Sequence, residues 1–334
     1  MAVAPISANG GIWMSSGTPL VSIVVPTYEC ARFLPATLDS IRNQTLTSWE
    51  CIVVDDGSSD GSDQVSSEYA ARDYRIRSVR QANAGPSAAR NHGFRLTDRG
   101  SLYVTFMDGD DLWMPTALER LAAENGRFPD AVGSSALAEF IDEHGQRMRP
   151  GEFADFGRRR LAPRGGRLVP LPRNEPSTFA SLVAGNVTFP PGLVLARREI
   201  YEEVGAFDES LRGAEDWDML LRLSRHGDIR FVDEVVLHYR RHSANLGASS
   251  FVPRYAFLVG CKNFHSPENT PAQRTTARKA YRAKQFTTAF ERLGYVQKSI
   301  RAGRPAEAIG ALARVSANVL RYLRGSPPRP SLGK

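Results

Sequence analysis

Cysteine is scarce in this chain, whose 334 residues include only Cys30, Cys51 and Cys261. The three lie far apart, and none belongs to a Cys-x-x-Cys or Cys/His pair with the spacing of metal ligands. This sparse, odd count argues against a disulfide framework and is typical of proteins from a reducing compartment.

Long apolar runs are also missing, because no stretch approaches the roughly 18 uninterrupted apolar residues of a membrane-spanning helix. Residues 1–19 lack the basic start and the apolar centre of a signal peptide, so we interpret them as a loose arm. These absences predict a cytoplasmic protein that is at most peripherally bound at the inner face of the cell membrane.

The charge is unevenly distributed along an otherwise ordinary globular composition. The net charge is +7, yet residues 270–334 hold 14 Lys or Arg against two acids and carry +12, which leaves −5 for the rest. Two basic amphipathic helices in this region could lie on an anionic membrane surface, or pack on the body with their charges solvated. No nucleic-acid-binding motif accompanies the charge, so no nucleic-acid partner is predicted.

Short β-branched runs recur through the first third of the chain, at residues 21–25, 51–54, 76–79 and 102–106. Polar and apolar stretches with helical spacing separate them. This alternation is typical of βαβ units in an α/β fold with a parallel sheet covered on both faces.

The remaining pattern is less regular but still assignable. It predicts a helix at 115–126, a strand at 131–142, a long loop at 143–176, a helix at 176–185, a strand at 191–198, a helix at 213–227 and one or two strands at 229–242.

Polar clusters follow three of the predicted strands, at residues 26–28, 55–62 and 108–111. Because ligands bind at the carboxyl ends of parallel strands, these clusters should lie on one edge of the sheet. Asp108, Asp110 and Asp111 would repel one another unless a cation lay among them, and Mg²⁺ or Mn²⁺ prefers such oxygen ligands. The alternative is an acidic turn that caps the following helix.

Further polar groups are expected near this edge, each with an ordinary structural alternative. An acid of the cluster at 55–60 could accept from a nucleobase N–H or simply form a βα turn. Gly85 and Pro86 open a helix that would bring Arg90 to the same edge, as a phosphate ligand or a solvated arginine.

Two further stretches combine charged and aromatic residues. The sequence "EDWD" at 215–218 could supply a carboxylate general base beside an aromatic ring, or merely acids that favour a helix N-terminus. The sequence "HYRRH" at 238–242 could offset phosphate charge or form an ordinary basic strand edge.

Together these stretches resemble the family 2 glycosyltransferases. The motifs "VSIVVPTYECARFLPATLDSIRNQT", "CIVVDDGSSDGS", "NAGPSAARNHG", "FMDGDDLW" and "GAEDWDMLLRL" occur in the family's order over roughly residues 20–245. The resemblance implies the GT-A fold, a Rossmann-like, mostly parallel sheet flanked by helices. It also implies a domain at 20–250, with a nucleotide-sugar half at about 20–112 and an acceptor half at about 113–250. A basic helical extension at 251–323 and a disordered tail at 324–334 would follow.

The resemblance also assigns roles to individual residues. Asp216 would be the catalytic base, with Glu215 in support, and Trp217 would wall the acceptor site. A metal ion would be held by Asp110 and Asp108, with His242 or Arg240 near the diphosphate. The nucleotide sugar would contact Pro26, Thr27, Tyr28, Asp55, Asp56, Arg90, Asp108 and Gly109, with Asp56 favoured over Asp55 for the base.

The implied activity is an inverting, metal-dependent transfer of a sugar from a nucleotide-diphospho-sugar, most often a UDP-sugar in this family, to an acceptor hydroxyl. Acceptors could be glycans, lipid-linked saccharides or small molecules, in cell-surface polysaccharide or glycoconjugate biosynthesis. A nucleotidyltransferase would instead carry a Gly-rich basic loop after the first strand, where this chain has "PTYECARF". A non-catalytic sugar-nucleotide or glycan-binding module would not need Asp216.

Overall fold

A computed structural model describes residues 17–243, 245 and 252–328. The strands are β1 Val21–Thr27, β2 Trp49–Asp55, β3 Ile76–Arg80, β4 Tyr103–Phe106, β5 Leu112–Trp113, β6 Gly133–Ile141, β7 Leu161–Arg164, β8 Arg167–Pro170, β9 Val194–Arg197 and β10 Ile229–Arg240. The α-helices are α1 Leu34–Arg42, α2 Ser62–Arg72, α3 Pro86–Leu96, α4 Ala117–Arg127, α5 Glu152–Arg158, α6 Phe179–Ala184, α7 Arg198–Val204, α8 Glu215–Leu223, α9 Val252–Phe264, α10 Pro271–Arg301 and α11 Pro305–Arg324. A 3₁₀ turn at Pro191–Leu193 precedes β9.

Eight strands form one mixed sheet in the order β3-β2-β1-β4-β9-β6-β10-β5. The pairs among β1, β2, β3 and β4 are all parallel, as the βαβ pattern predicts. Strand β9 runs antiparallel to both of its neighbours, whereas β6 and β10 are parallel to each other. The carboxyl ends of β1, β2 and β4 therefore lie side by side, and they bring the three predicted polar clusters to one edge.

Helices cover both faces of this sheet and enclose two apolar cores. One core lies under α1 and α4, and the other lies under α3, α7 and α8. Helix α3 sits unusually close to the strands, because a Cβ atom on Gly93 would stand 2.4 Å from Val24 and 2.9 Å from Val54. This contact holds the first turn of α3, and with it Arg90, against the carboxyl ends of β1 and β2.

The loop predicted over 143–176 is wrong, because this region contains α5 and a hairpin of β7 and β8. The hairpin turns at Gly165 and Gly166, whose φ angles of 55° and 77° are those that a two-residue turn between antiparallel strands requires. The Gly-Gly pair between two short apolar runs was the available signal, and the surrounding Arg and Pro residues obscured it.

Helices α9, α10 and α11 follow the sheet, and α10 and α11 pack together as a hairpin. Helix α10 also packs against α6 and the β7–β8 hairpin. Of the helices described, none combines the length and hydropathy needed to span a bilayer. Most of the predicted arm, and residues 329–334 of the predicted tail, lie outside the described residues.

Candidate active site

The acidic turn after β4 is fixed by contacts from three elements. Thr37 of α1 donates its hydroxyl to the carbonyl oxygens of Gly109 and Asp111, at 3.0 and 2.8 Å. A Cβ atom on Gly109 would stand 3.1 Å from both Cys30 Sγ and a methyl group of Thr27, so the turn packs directly on the end of β1. The side chains of Asp108 and Asp110 are consequently held in place by a tightly packed backbone.

The buried side chain of Asp111 connects this turn to strand β10. Its side chain is fully buried, and Oδ1 accepts from the backbone N–H of Arg240 at 2.9 Å. Burial, and then the nearby charges of Asp110 and Asp108, raise the pKa of Asp111 well above its usual range. The guanidinium of Arg240 donates to the carbonyl oxygen of Asp110 at 2.8 Å, so β10 is attached to the turn twice.

Asp110 faces His242, which follows the end of β10. Asp110 Oδ2 lies 2.8 Å from His242 Nε2 and 3.3 Å from the amide nitrogen of Asn245. Carboxylate oxygen and imidazole nitrogen are both donors that Mn²⁺ accepts. Within residues 17–243, 245 and 252–328, no cluster of three or more His, Cys, Asp or Glu side chains could hold a metal. The donor set therefore fits an ion whose coordination is completed by substrate phosphates and water, rather than one caged by protein.

The two acids at the end of β2 bind the neighbouring loops. Asp55 is fully buried and accepts from the backbone N–H of Ser58 at 3.2 Å. Asp56 accepts from the side chain of Gln81 and from the backbone N–H groups of Ala84 and Gly85, at 2.8 to 2.9 Å. A carboxylate has about four acceptor positions, so these three bonds leave Asp56 capacity for one further donor.

The residues predicted to line the nucleobase pocket differ in their exposure. Pro26 and Thr27 end β1 inside the protein, whereas Tyr28 is more than half exposed at the sheet edge. The backbone N–H of Asp56 donates to the carbonyl oxygen of Thr27 at 2.8 Å, so the ends of β1 and β2 remain paired up to this point. The exposed Tyr28 thus follows directly the residue whose backbone pairs with the buried Asp56.

Arg90 connects the two halves of the site. Its side chain is buried, and its two terminal nitrogens each donate at 2.7 Å, one to Asp108 and the other to Glu215. The sequence suggested a contact with the nucleotide, but here both terminal nitrogens are taken by carboxylates. Arg90 therefore joins the acidic turn of β4 to the first turn of α8.

Asp216 differs electrostatically from the adjacent Glu215. Desolvation, and then the charge of Glu215, raise the pKa of Asp216 to about 7. The side chain borders a small cavity of about 30 Å³ whose lining is mostly apolar, including Phe106, Phe207 and Leu220. Arg90 offsets the charge of Glu215 directly, so the two acids of this pair have different environments.

The backbone that enters α8 is conformationally unusual. Ala214, just before Glu215, has φ 59° and ψ 19°, in the left-handed region that residues with a side chain rarely occupy. Such conformations persist where the surrounding contacts enforce them, and they are concentrated at functional sites. This turn sets the direction in which the first residues of α8 point.

Trp217 does not face the site. It is 6% exposed and its indole N–H donates to the carbonyl oxygen of Leu182 at 2.9 Å, within the apolar core. The predicted contact between Trp217 and the acceptor therefore has no geometric support. The indole N–H is the only polar group of the ring, and it is hydrogen-bonded inside the protein. Glu215 and Asp216 begin helix α8, and the next residue, Trp217, packs in the apolar core.

A cluster of aromatic rings from three other elements includes Tyr239, which the charges of the acidic turn influence. Phe140 of β6 stacks on Phe153 of α5 with ring centroids 4.1 Å apart, and Tyr239 of β10 lies 5.8 Å from Phe153. Burial and the charges of the three turn carboxylates raise the pKa of Tyr239. No sequence motif pointed to these rings, because they come from three separate elements.

Comparison with known proteins gives a single family. The model of Glycosyl transferase family 2 matches residues 22–205. The uncharacterized glycosyltransferase EpsJ of Bacillus subtilis is 33% identical over 239 residues, which cover 70% of this chain. That match spans 65% of the length of EpsJ.

Solved structures share the architecture at low sequence identity. A crystal structure of S. aureus TarS 1-349 in complex with UDP-GlcNAc gives a TM-score of 0.58 at 18% identity, covering 90% of this chain and 81% of that one. The mannosyltransferase PcManGT from Pyrobaculum calidifontis, in complex with GDP-Man and Mn²⁺, gives 0.55 at 17% identity, covering 92% and 88%. Such identities establish a common fold.

Proposed function

This chain belongs to glycosyltransferase family 2 and has the GT-A fold, and we propose that it transfers a sugar from a nucleotide-diphospho-sugar to an acceptor hydroxyl, with inversion at the anomeric carbon. The observation that carries the proposal is the Arg90 bridge between Asp108 and Glu215. It brings together Asp108, which we assign to the donor, and Glu215, which we assign to the acceptor side. TarS and PcManGT, which share the fold, bind UDP-GlcNAc and GDP-Man respectively.

In the proposed donor complex, the base lies beside Tyr28 and donates an N–H to Asp56. The exposed ring of Tyr28 and the remaining acceptor capacity of Asp56 support this assignment. Asp108 faces the ribose or the metal, and the packed Gly109 backbone prevents the turn from yielding when the anionic diphosphate arrives. We take the donor to be a UDP-sugar.

We assign the divalent cation, Mg²⁺ or Mn²⁺, to Asp110 and His242, with Asp108 beside them. Their oxygen and imidazole donors suit either ion, and PcManGT, of the same fold, binds Mn²⁺. When bound, the cation stabilises the negative charge that develops on the departing diphosphate.

Asp216 acts as the general base in this proposal and takes the proton from the acceptor hydroxyl as the oxygen attacks the anomeric carbon. A raised pKa close to neutrality suits a base at physiological pH. Arg90 forms an ion pair with Glu215, so Asp216 is the carboxylate that remains available to the acceptor. The rings of Phe140 and Tyr239 would provide an apolar surface for the acceptor sugar.

Replacing Arg90 is expected to change the pH dependence of turnover. The positive charge of Arg90 lowers the pKa of Asp216, so Arg90→Gln should raise that pKa and move the acidic limb of the kcat/KM profile to higher pH. At pH 7 we expect a loss of roughly fivefold, since raising a pKa of about 7 by about one unit lowers the ionised fraction at that pH by this factor. The measurement is kcat/KM between pH 5.5 and 9.

Arg90→Lys is the matched control, because it keeps the charge but loses the planar fork. Its acidic limb should remain near that of the wild type even if its kcat falls. An Arg90→Gln profile that is lower at every pH, with its acidic limb unmoved, would show that Arg90 only supports packing.

The acceptor is proposed to be a saccharide, free, lipid-linked or part of a glycan, in cell-surface polysaccharide or glycoconjugate synthesis. We place the reaction in the cytoplasm, at the inner face of the cell membrane, with the basic C-terminal helices at an anionic membrane surface. The three cysteines support a reducing compartment, since all are buried and unpaired.

The donor class is tested by thermal unfolding with UDP, GDP and dTDP in the presence of Mn²⁺. A ligand that binds the native state alone raises the melting temperature, so one of the three diphosphates should do so. The corresponding monophosphate is the control and should stabilise much less, because it lacks the second phosphate. Stabilisation by nucleoside triphosphates but by no diphosphate would favour a nucleotidyltransferase instead.

A further inference from the structure

Exposed apolar side chains are concentrated on the hairpin of α10 and α11. Between 42% and 70% of the surface of each of six large residues is exposed: Phe290, Leu293 and Ile300 on α10, and Ile309, Leu320 and Leu323 on α11. We call these six residues the apolar face. Soluble surfaces rarely group large apolar side chains in this way unless they bind something.

The six residues lie on one side of the hairpin. Ala289 and Val296 of α10 are buried, and Val296 packs against α11. At about 100° per residue, the exposed residues of α10 are rotated from these two by roughly 30° to 110° around the helix axis. On α11 they are rotated by roughly 120°, in the same sense, from Ala308 and Ala311, which pack against α10. Because the two helices are antiparallel, equal senses of rotation bring both stripes to the same side.

The hairpin also extends beyond the body of the protein. The first half of α10 contacts the body: Thr287 accepts from the backbone N–H of Leu168 at 3.4 Å, and Ala277, Ala280 and Ala283 are buried. The second half of α10 packs on α11 instead. Its last 14 residues, Thr288–Arg301, are about 20 Å long at 1.5 Å per residue. Phe290, Leu293 and Ile300 thus lie on this projecting part. Leu320 and Leu323 lie near the end of α11, where Gly325 approaches Arg282 in the first half of α10.

Charge decides between the possible occupants of this face. Residues 271–324, which comprise α10, α11 and the turn between them, contain 12 Lys or Arg and two acids, Glu291 and Glu307, a net charge of +10. Pairing with a second copy through the same face would bring two such charges together, which opposes association. An anionic bilayer accepts apolar side chains at its interface and attracts Lys and Arg at its headgroups.

We propose that the apolar face docks on an anionic phospholipid bilayer and holds the enzyme at the membrane. The side chains of Phe290, Ile309 and Leu320 enter the interface between headgroups and acyl chains, and basic residues at the hairpin turn, Arg301 and Arg304, reach the headgroups. This inference deepens the membrane partner named under the proposed function, but it does not depend on the donor chemistry.

The test is co-sedimentation of the full chain with phosphatidylcholine vesicles that contain about one third phosphatidylserine, and with phosphatidylcholine vesicles alone. We expect binding to the anionic vesicles, weakened by added salt, and a fall on the order of tenfold or more for Leu320→Gln with Leu323→Gln. Both leucines are two-thirds exposed, so this double variant should fold normally.

Tyr74→Gln is the matched control, since Tyr74 is 93% exposed but lies on the body, before β3. It should bind the vesicles as the wild type does. Equal binding of the double variant and the wild type would overturn the proposal. So would a wild-type dimer in solution that the double variant abolishes, because the occupant would then be a second copy. Stabilisation by nucleotide, measured in parallel, tests the proposed function separately and should be unchanged in both variants.

Discussion

Asp216→Asn is expected to reduce kcat by about 10³-fold or more while leaving nucleotide binding intact, because general-base catalysis typically contributes 10² to 10⁴. The amide keeps the size of the side chain but cannot accept the hydroxyl proton. In the wild type, kcat/KM should rise with pH and level off above about pH 7, the pKa of Asp216. The measurements are initial rates over this range and thermal stabilisation by the donor nucleotide.

Stability gives an internal control for this variant. Burial raises the pKa of Asp216 in the folded state above the value of about 3.9 in an unfolded chain. The folded state then binds more protons than the unfolded one, so this group opposes folding increasingly as the pH rises from about 4 to about 7. Asp216→Asn should therefore be at least as stable as the wild type at pH 8. A variant that turns over normally would remove Asp216 from the mechanism.

Asp110→Ala is expected to abolish the metal-dependent part of nucleotide binding and to lower kcat/KM by roughly 10²-fold or more, since a bound cation supplies several kcal/mol of charge stabilisation. His242 would remain as a lone ligand at that position. The measurement is the nucleotide-induced shift in melting temperature, with Mn²⁺ and then with EDTA, together with the rate.

Asp111→Asn is the matched control, because Asp111 lies in the same turn as the proposed metal ligand Asp110 but has a structural role. The raised pKa of Asp111 favours the neutral form, for which an amide is a close substitute. This variant should keep the response to Mn²⁺. If the wild type were stabilised equally with EDTA, the Asp110–His242 pair would be an ordinary hydrogen bond, and the metal proposal would fail while the nucleotide site remained.

The strands β1, β2 and β4 were predictable because each is a short apolar run that ends in a polar cluster. The same regularity brought Asp56, Asp108 and Asp110 to one sheet edge. Prediction failed where local signals compete, as in the region of α5 and the β7–β8 hairpin. There the Gly165-Gly166 turn is surrounded by arginine and proline, and the short strands depend on contacts with α10.

Within the candidate site, the sequence patterns identified which residues lie there more reliably than they identified the role of each residue. Arg90 lies in the expected place, but its partner Glu215 is 125 residues away, so the bridge could not be read from spacing. Asn245 lies outside every motif, and the motif that contains Thr37 gave no role to it. For Trp217, an aromatic residue beside two acids suggested a contact with the acceptor, but its position in α8 places it in the core.

The order of strands in the sheet has a consequence for how the chain folds. The pairs among β1, β2, β3 and β4 involve no residue beyond 106, so this part of the sheet could form once residue 106 is available. The short β5, at Leu112–Trp113, pairs with Leu237 and His238 of β10, across more than a hundred residues. Contacts so distant in sequence form slowly. We therefore expect strands β1 to β4 to assemble first during synthesis, and the part of the sheet that contains β10, together with Asp216 and His242, to form last.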